Sequence, residues 1–318
     1  MPTPTRLRSA LSKRKKAAMK GFSRWCCALV AGLSLAVMGH AQEAPKGGFE
    51  LGRPDYPVML AGNAYYVLLN PDGSEVRRWR GNNNNDGWLL PNGHLLGATS
   101  QAEEWDEQGN KVWEYVAKDT TGGAIFSCQR LPNGNTLIAE NSTGRVLEVT
   151  PEGEQVNCLQ LPLNKSNRHQ TLRMARRYPD GTTLVCRSGA NTVELYNPMG
   201  ECTWSQKVPG LAFAAVLDGE RNVYIASLGQ LQKWSPSHEL LWEFKPKALG
   251  LPIVNMTGIH LLPNGNLVVG CYGYGPQHYG AFEVTPDKQL RWAYRSGRKW
   301  DSHMAVQLLD PAIQSPLR

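Results

Sequence analysis

The feature that most constrains this chain is an internal repeat. Leu90-Pro91-Asn92-Gly93-His94-Leu95, Leu131-Pro132-Asn133-Gly134-Asn135-Thr136-Leu137 and Leu262-Pro263-Asn264-Gly265-Asn266-Leu267 read almost alike, and Tyr178-Pro179-Asp180-Gly181-Thr182-Thr183-Leu184 is a fourth copy. Asn-Gly or Asp-Gly between apolar runs predicts a hairpin turn, because glycine takes the positive φ that a tight turn demands. A second turn falls in each unit: Pro71-Asp72-Gly73, Glu107-Gln108-Gly109, Pro151-Glu152-Gly153, Pro198-Met199-Gly200, Pro236-Ser237-His238 and Pro286-Asp287-Lys288. Four of these are followed at a fixed distance by Trp113, Trp204, Trp242 or Trp292.

Between the two turns one small residue recurs in register: Ala61, Ala98, Ala139, Cys186, Ala226 and Gly270, at intervals of 37, 41, 47, 40 and 44 residues. Each unit therefore reads as four strands. That length and strand number predict propeller blades. One four-stranded sheet cannot bury both faces, whereas blades stacked around an axis can. Packed sheets lie about 10 Å apart, and a small side chain in mid-strand makes room for a bulky one from the next blade. Cys186 belongs to this column, which predicts a small buried apolar residue; a disulfide or a reactive thiol is the alternative.

The ends complete the arithmetic. The first unit lacks an innermost strand before Pro57-Val58-Met59-Leu60, while His303-Met304-Ala305-Val306-Gln307-Leu308-Leu309-Asp310 resembles the innermost strand of the sixth unit. Their pairing predicts an all-β, six-bladed propeller of four-stranded antiparallel blades, closed by the C-terminal strand and without free sheet edges there.

The formal net charge of +7 belongs to the first 41 residues, which hold eight basic side chains and no Asp or Glu. The remaining 26 basic and 27 acidic residues nearly cancel. A nucleic-acid-binding face is therefore not expected. Trp25 to Met38 is apolar apart from Ser34, shorter than the ~20 residues of a spanning helix, and Gly39-His40-Ala41 ends it with small residues at the −3 and −1 positions. This predicts a secretory signal peptide over 1–41, with Met1 or Met19 as its start. The mature chain is then periplasmic or secreted and has no membrane span. Residues 42–54 read as a linker, 55–310 as the propeller and 311–318 as a tail. The five cysteines left, Cys128, Cys158, Cys186, Cys202 and Cys271, are odd in number and match no metal spacing.

The pattern Leu-Pro-Asn-Gly-Asn followed by Thr-Pro-x-Gly or its equivalent and then Trp, best kept in 86–115, 125–159 and 256–294, resembles the PQQ-like (quinoprotein alcohol dehydrogenase-like) propeller superfamily. The resemblance covers nearly the whole mature chain and implies the fold more than a function. Its quinone-dependent dehydrogenases have eight blades, a calcium site and an adjacent-cysteine disulfide. The one adjacent pair here, Cys26-Cys27, lies in the leader, so no quinone, metal or other cofactor is expected. The segment Ile259-His260-Leu261-Leu262-Pro263-Asn264-Gly265-Asn266 is similar to arylsulfotransferase-like propellers. Those would imply a histidine nucleophile at His260.

A propeller binds at its axis, on the face built by loops that enter the innermost strands and loops that join the second and third strands. Those loops carry the departures from the repeat. Asn82-Asn83-Asn84-Asn85-Asp86 is a run of short amides, readable as a binding rim or as a solvated loop. Arg168-His169 and Arg173 enter the third repeat, Tyr272, Tyr274, His278 and Tyr279 share a Gly-rich loop, and Trp300-Asp301-Ser302-His303 enters the closing strand. Trp88, Gln129, Arg176 and His260 occupy one column of the innermost strands. The candidate ligand-binding residues are Asp86, Trp88, Gln129, His169, Arg173, Arg187, Asn255, His260, Tyr272, Trp300 and His303. His260, His169 and His303 are the candidates for catalysis. Asp106, Glu107 and Glu103-Glu104 read as surface charge. The expected function is a non-catalytic module that binds a small molecule, a glycan or a protein at the axial face. The alternative is an arylsulfotransferase-like or lyase-like enzyme in the same funnel.

Overall fold

A computed structural model describes residues 47–273, 277–295, 297 and 303–309. The leader, Tyr274, Trp300, Asp301, Ser302 and the tail lie outside the described residues. Six antiparallel sheets form the six blades of a β-propeller. Blade I contains, from the axis outwards, His303–Leu308, Val58–Gly62, Tyr65–Leu69 and Glu75–Arg80. Blade II contains Asp86–Leu89, Leu95–Ala98, Ala102–Trp105 and Lys111–Tyr115. Blade III contains Ile125–Arg130, Thr136–Glu140, Arg145–Val149 and Gln155–Gln160. Blade IV contains Met174–Arg177, Thr183–Arg187, Thr192–Tyr196 and Cys202–Lys207. Blade V contains Ala212–Leu217, Val223–Ser227, Gln230–Trp234 and Leu240–Phe244. Blade VI contains Asn255–Leu261, Leu267–Tyr272, Ala281–Val284 and Leu290–Arg295.

The ring closes as expected: His303–Leu308 pairs antiparallel with Val58–Gly62, Val306 opposite Leu60. Blade VI has a fifth strand. Gly48–Glu50, inside the segment read as a linker, pairs with Leu290–Arg295 on the outer edge. Phe49 packs edge-on against Trp292 and Tyr294, and Glu50 takes a two-pronged ion pair from Arg295 at 2.9 and 3.0 Å. No hairpin signal could reveal this strand, because its partner lies more than 200 residues away.

The repeated turns are three-residue loops. Within the Pro91-Asn92-Gly93 loop only Gly93 takes positive φ, at 82°, and its N–H donates to the Leu90 carbonyl at 2.9 Å. The Asn92 carboxamide oxygen accepts the His94 N–H at 3.1 Å, and Asn133, Asp180 and Asn264 repeat that contact. Asn or Asp therefore stands before the glycine to hold the backbone beyond it. In blades V and VI His238 and Lys288 take positive φ, 66° and 65°, without being glycine.

The small-residue column is buried in every blade, Cys186 included. Burial pushes the Cys186 thiol well above its usual range. The column is tightest at closure: a Cβ on Gly270 would lie 2.7 Å from the His303 carbonyl oxygen. Beside it, one on Gly258 would lie 2.9 Å from the Ala305 Cα.

Glu104 is not a surface charge. It is 8 % exposed, its Oε1 lies 2.7 Å from His94 Nδ1, and Arg130 pairs with its other oxygen. Strand alternation turns it towards blade III, where Arg130 waits.

Candidate functional site

The innermost strands have one edge that no neighbouring strand covers, and side chains cover it instead. Gln307 of blade I accepts the Leu89 N–H at 2.8 Å and donates to the Leu89 carbonyl at 3.3 Å. Trp88 of blade II donates its indole N–H to the Cys128 carbonyl at 2.6 Å. Gln129 of blade III accepts the Arg177 N–H at 2.8 Å and donates to the Arg177 carbonyl at 3.0 Å. Each reaches the backbone of the next blade. The column read as a set of site candidates is thus a stitch that holds the ring together.

Arg176 and Asp86 extend it. Arg176 Nη2 lies 2.8 Å from Asp86 Oδ2, and its guanidinium sits 5.0 Å over the Trp88 ring. Asp86 also accepts the N–H groups of Cys128, at 3.2 Å, and Gly87, at 3.0 Å. One carboxylate therefore ties blades II, III and IV. His260 shares this column and is buried.

Three residues before each stitch position comes a different ring. Asn85, Phe126, Arg173, Phe213, Thr257 and Met304 stand there, one per blade. The same six residues line both the funnel on the entry-loop face and the small cavity beneath it. Their register explains it. In blade III Ala139 pairs with Ser127 and Glu140 with Ile125, so Phe126 is bulged out of the ladder; Phe213, Thr257 and Met304 are skipped likewise. In blades II and IV the N–H groups of Asn85 and Arg173 donate to the carbonyls of Ala98 and Cys186, the residues already opposite Asp86 and Met174. An extra residue at this level re-aims one side chain per blade towards the axis.

The funnel has a volume of about 530 Å3. Its rim carries Asn63, Asn83, Asn84, Thr99, Ser100, Gln170 and Asn255. Asn84 is buried, donates to the Gly62 carbonyl at 2.7 Å, and leaves its Oδ1 without a partner. The cavity below the collar holds about 20 Å3, room for a single water-sized group.

Arg173 closes the floor. It rises from blade IV between the rings of its neighbours, 4.5 Å from Phe126 and 5.8 Å from Phe213. Its Nη2 reaches Met304 Sδ at 3.9 Å. Met304 belongs to blade I, diametrically opposite, so the guanidinium lies across the axis. Burial lowers its pKa to about 10, with the Tyr272 hydroxyl the group that favours its charge, and it remains a cation at neutral pH.

Of the residues expected in the site, His169, Arg173, Asn255 and Tyr272 line the funnel, and Asp86 lines the cavity beneath. His169 donates its Nδ1–H to the Gly122 carbonyl, 3.1 Å away, and stands edge-on to Phe126. Burial and the Arg173 charge push its pKa below the usual imidazole value. Trp88, Gln129, Arg187, His260 and His303 line neither cavity. Arg187 pairs with Glu194 at 3.2 Å and donates to the Pro162 carbonyl. His303 is buried between Gly280 and Tyr294 in the closure. Trp300 lies outside the described residues. Phe126, Phe213, Thr257 and Met304 were not among the expected residues. Their fixed offset from the stitch column was a signal in the sequence, but the bulge that gives it meaning was not.

Among the described residues, no group of three or more His, Cys, Asp or Glu side chains is placed to hold a metal ion.

No protein-family model matches the chain. No curated protein matches it either. Solved structures share its fold. A protein of unknown function from Bacteroides caccae has a TM-score of 0.67 at 16 % identity, covering 79 % of this chain and 97 % of the other. A catalytically inactive variant of virginiamycin B lyase from Staphylococcus aureus, with quinupristin, has a TM-score of 0.54 at 13 % identity, covering 78 % and 89 %. A streptogramin B lyase has a TM-score of 0.53 at 12 % identity, covering 84 % and 94 %. At these identities the likeness shows the β-propeller fold.

Proposed function

We propose that this chain is an exported propeller of the PQQ-like kind that captures a small molecule in its axial funnel, without chemistry of its own. The observation that carries the reading is the collar. Six bulged positions, one per blade, present five kinds of polar and apolar side chain to one point, while the stitch column just below keeps the frame rigid. Function on variable positions held by an invariant scaffold is the usual economy of such folds. A funnel of about 530 Å3 suits a small ligand better than a folded partner.

The Leu-Pro-Asn-Gly repeat supports the PQQ-like assignment, and the basic, acid-free leader supports export to the periplasm or medium. N-terminal sequencing of exported protein should begin at Gln42; a chain still starting at Met1 or Met19 would overturn export.

The enzymatic reading has one observation in its favour. With Nδ1–H donated to Gly122, His169 presents a neutral Nε2 at the funnel wall, as a general base would. The lyase neighbours are consistent with such a site but supply no residue of this chain.

A crystallographic fragment screen on the exported protein tests the binding reading. Fragments should gather at Asn83–Asn85, Phe126, Phe213 and Tyr272. Fragments that settle only on the rim of the blades would refute it.

A further inference from the structure

We infer that the funnel selects a small organic anion, its carboxylate or sulfonate seated on the Arg173 guanidinium at the axis and its flat apolar body against Phe126, Phe213 and Tyr272. The inference rests on the funnel being the ligand site, and names what it takes.

Charge is the first argument. No Asp, Glu or Lys lines the funnel among the described residues. His169 is held towards its neutral form, so among the described residues Arg173 is the one formal charge there at neutral pH. No carboxylate among the described residues pairs with it. The contrast on the same strand is instructive. Arg176, three residues on, is neutralised by Asp86 at 2.8 Å. Among the described residues Arg173 meets two ring faces and a thioether, with the Tyr272 hydroxyl nearby and no carboxylate, although a guanidinium has five N–H donors. A half-buried charge without a carboxylate partner has lost part of its hydration, and an incoming anion offsets that loss through charge-assisted, two-pronged hydrogen bonds.

Geometry is the second. The Arg173 side chain reaches across the axis from blade IV to blade I, so a ligand moving down the funnel meets the guanidinium at its floor. Phe126 and Phe213, on the two flanking blades, hold it by their ring faces and make the wall beside it apolar. Leu211 and Met304 extend that wall, and the amides of Asn83, Asn85 and Asn255 stand above. One cation favours a monoanion over a polyphosphate, which would ask for several. The apolar wall favours an aromatic body over a free sugar acid.

Calorimetric titration of the exported protein with benzoate, benzenesulfonate, benzamide and benzylammonium tests this. Benzoate or benzenesulfonate should bind about tenfold or more tightly than the uncharged benzamide, and the stronger of the two identifies the headgroup. Benzylammonium should be the weakest of the four. Anion affinity should fall as salt is raised, and benzamide affinity should not. Arg173→Met, of similar reach and without charge, should lose the anion preference while keeping benzamide affinity. Should that variant fold poorly, charge selectivity and salt dependence in the wild type decide the matter alone. Equal affinity for benzoate and benzamide, or a folded R173M that keeps its benzoate affinity, overturns the anion inference while leaving the funnel a binding site. None of the four in a funnel that other fragments do occupy overturns it too. A funnel that takes no fragment overturns the binding reading with it.

Discussion

Replacing Asp86 by alanine strands a charge at the centre of the ring. Asp86 is 1 % exposed and Arg176 5 %. The carboxylate holds the Arg176 guanidinium at 2.8 Å and the N–H groups of Cys128 and Gly87, so three blades lose a shared anchor at once. Breaking a buried pair by removing one partner costs about 3–5 kcal/mol. A domain has only about 5–15 kcal/mol to lose. For a chain of this size each kcal/mol moves the midpoint by about 2–4 °C, so D86A should melt roughly 6–20 °C lower. Equilibrium urea unfolding followed by tryptophan fluorescence should show a lower midpoint at unchanged slope. The origin is then checked by the double variant Asp86→Ala with Arg176→Met. It leaves no buried charge behind, so it should be more stable than D86A alone. A loss below about 1 kcal/mol in D86A, or a double variant worse than the single, would refute the argument that the pair locks the inner ring.

Three other outcomes follow from the geometry. His278 is buried, with Nδ1 3.1 Å from the Pro252 carbonyl, and burial lowers its pKa to about 4, helped by nearby His303 and Arg295. The unfolded chain takes up that proton near pH 6.5, so the His278 contribution is complete above that pH. It drains as pH falls to about 4, by roughly 3 kcal/mol; His278→Gln should flatten the slope, and an unchanged difference between pH 7.5 and pH 5 would count against it. Ending the chain before His303 removes the strand that covers Val58–Gly62 and the buried Met304, Val306 and Leu308. At about 1.5–3 kcal/mol per buried side chain, the shortened protein should aggregate or unfold, and a normal melting curve would disprove closure through this strand. Lys288 holds φ at 65° with no side-chain need for it, so Lys288→Gly should stabilise by about 1 kcal/mol in urea unfolding; destabilisation would show that the turn is not strained.

The repeat made much of this molecule legible in advance. Pro-Asn-Gly loops, the small-residue column and the mismatched ends each act through local rules: a φ only glycine takes easily, a gap only a small side chain leaves, an edge only a matching strand fills. Blade number, turns and closure follow from those rules alone, and the column at Cys186 is buried as its size requires. The face on which the funnel opens was legible to the level of loops, because a loop that departs from its repeat has been released from scaffold duty.

Which side chains meet at the axis was decided only in three dimensions. Strand alternation assigns residues to faces two at a time, and a bulge shifts that count by one. Phe126, Phe213, Thr257 and Met304 turn inwards for this reason, while Trp88 and Gln129, whose types suggested recognition, hydrogen-bond the next blade. Glu104 reads as a surface charge and Glu50 as part of a linker until Arg130 and Arg295, far away in the chain, are brought against them. Arg173 and Arg176 stand on one strand with the same side chain; one is neutralised and the other is not, because Asp86 comes from two blades away and can reach only one of them.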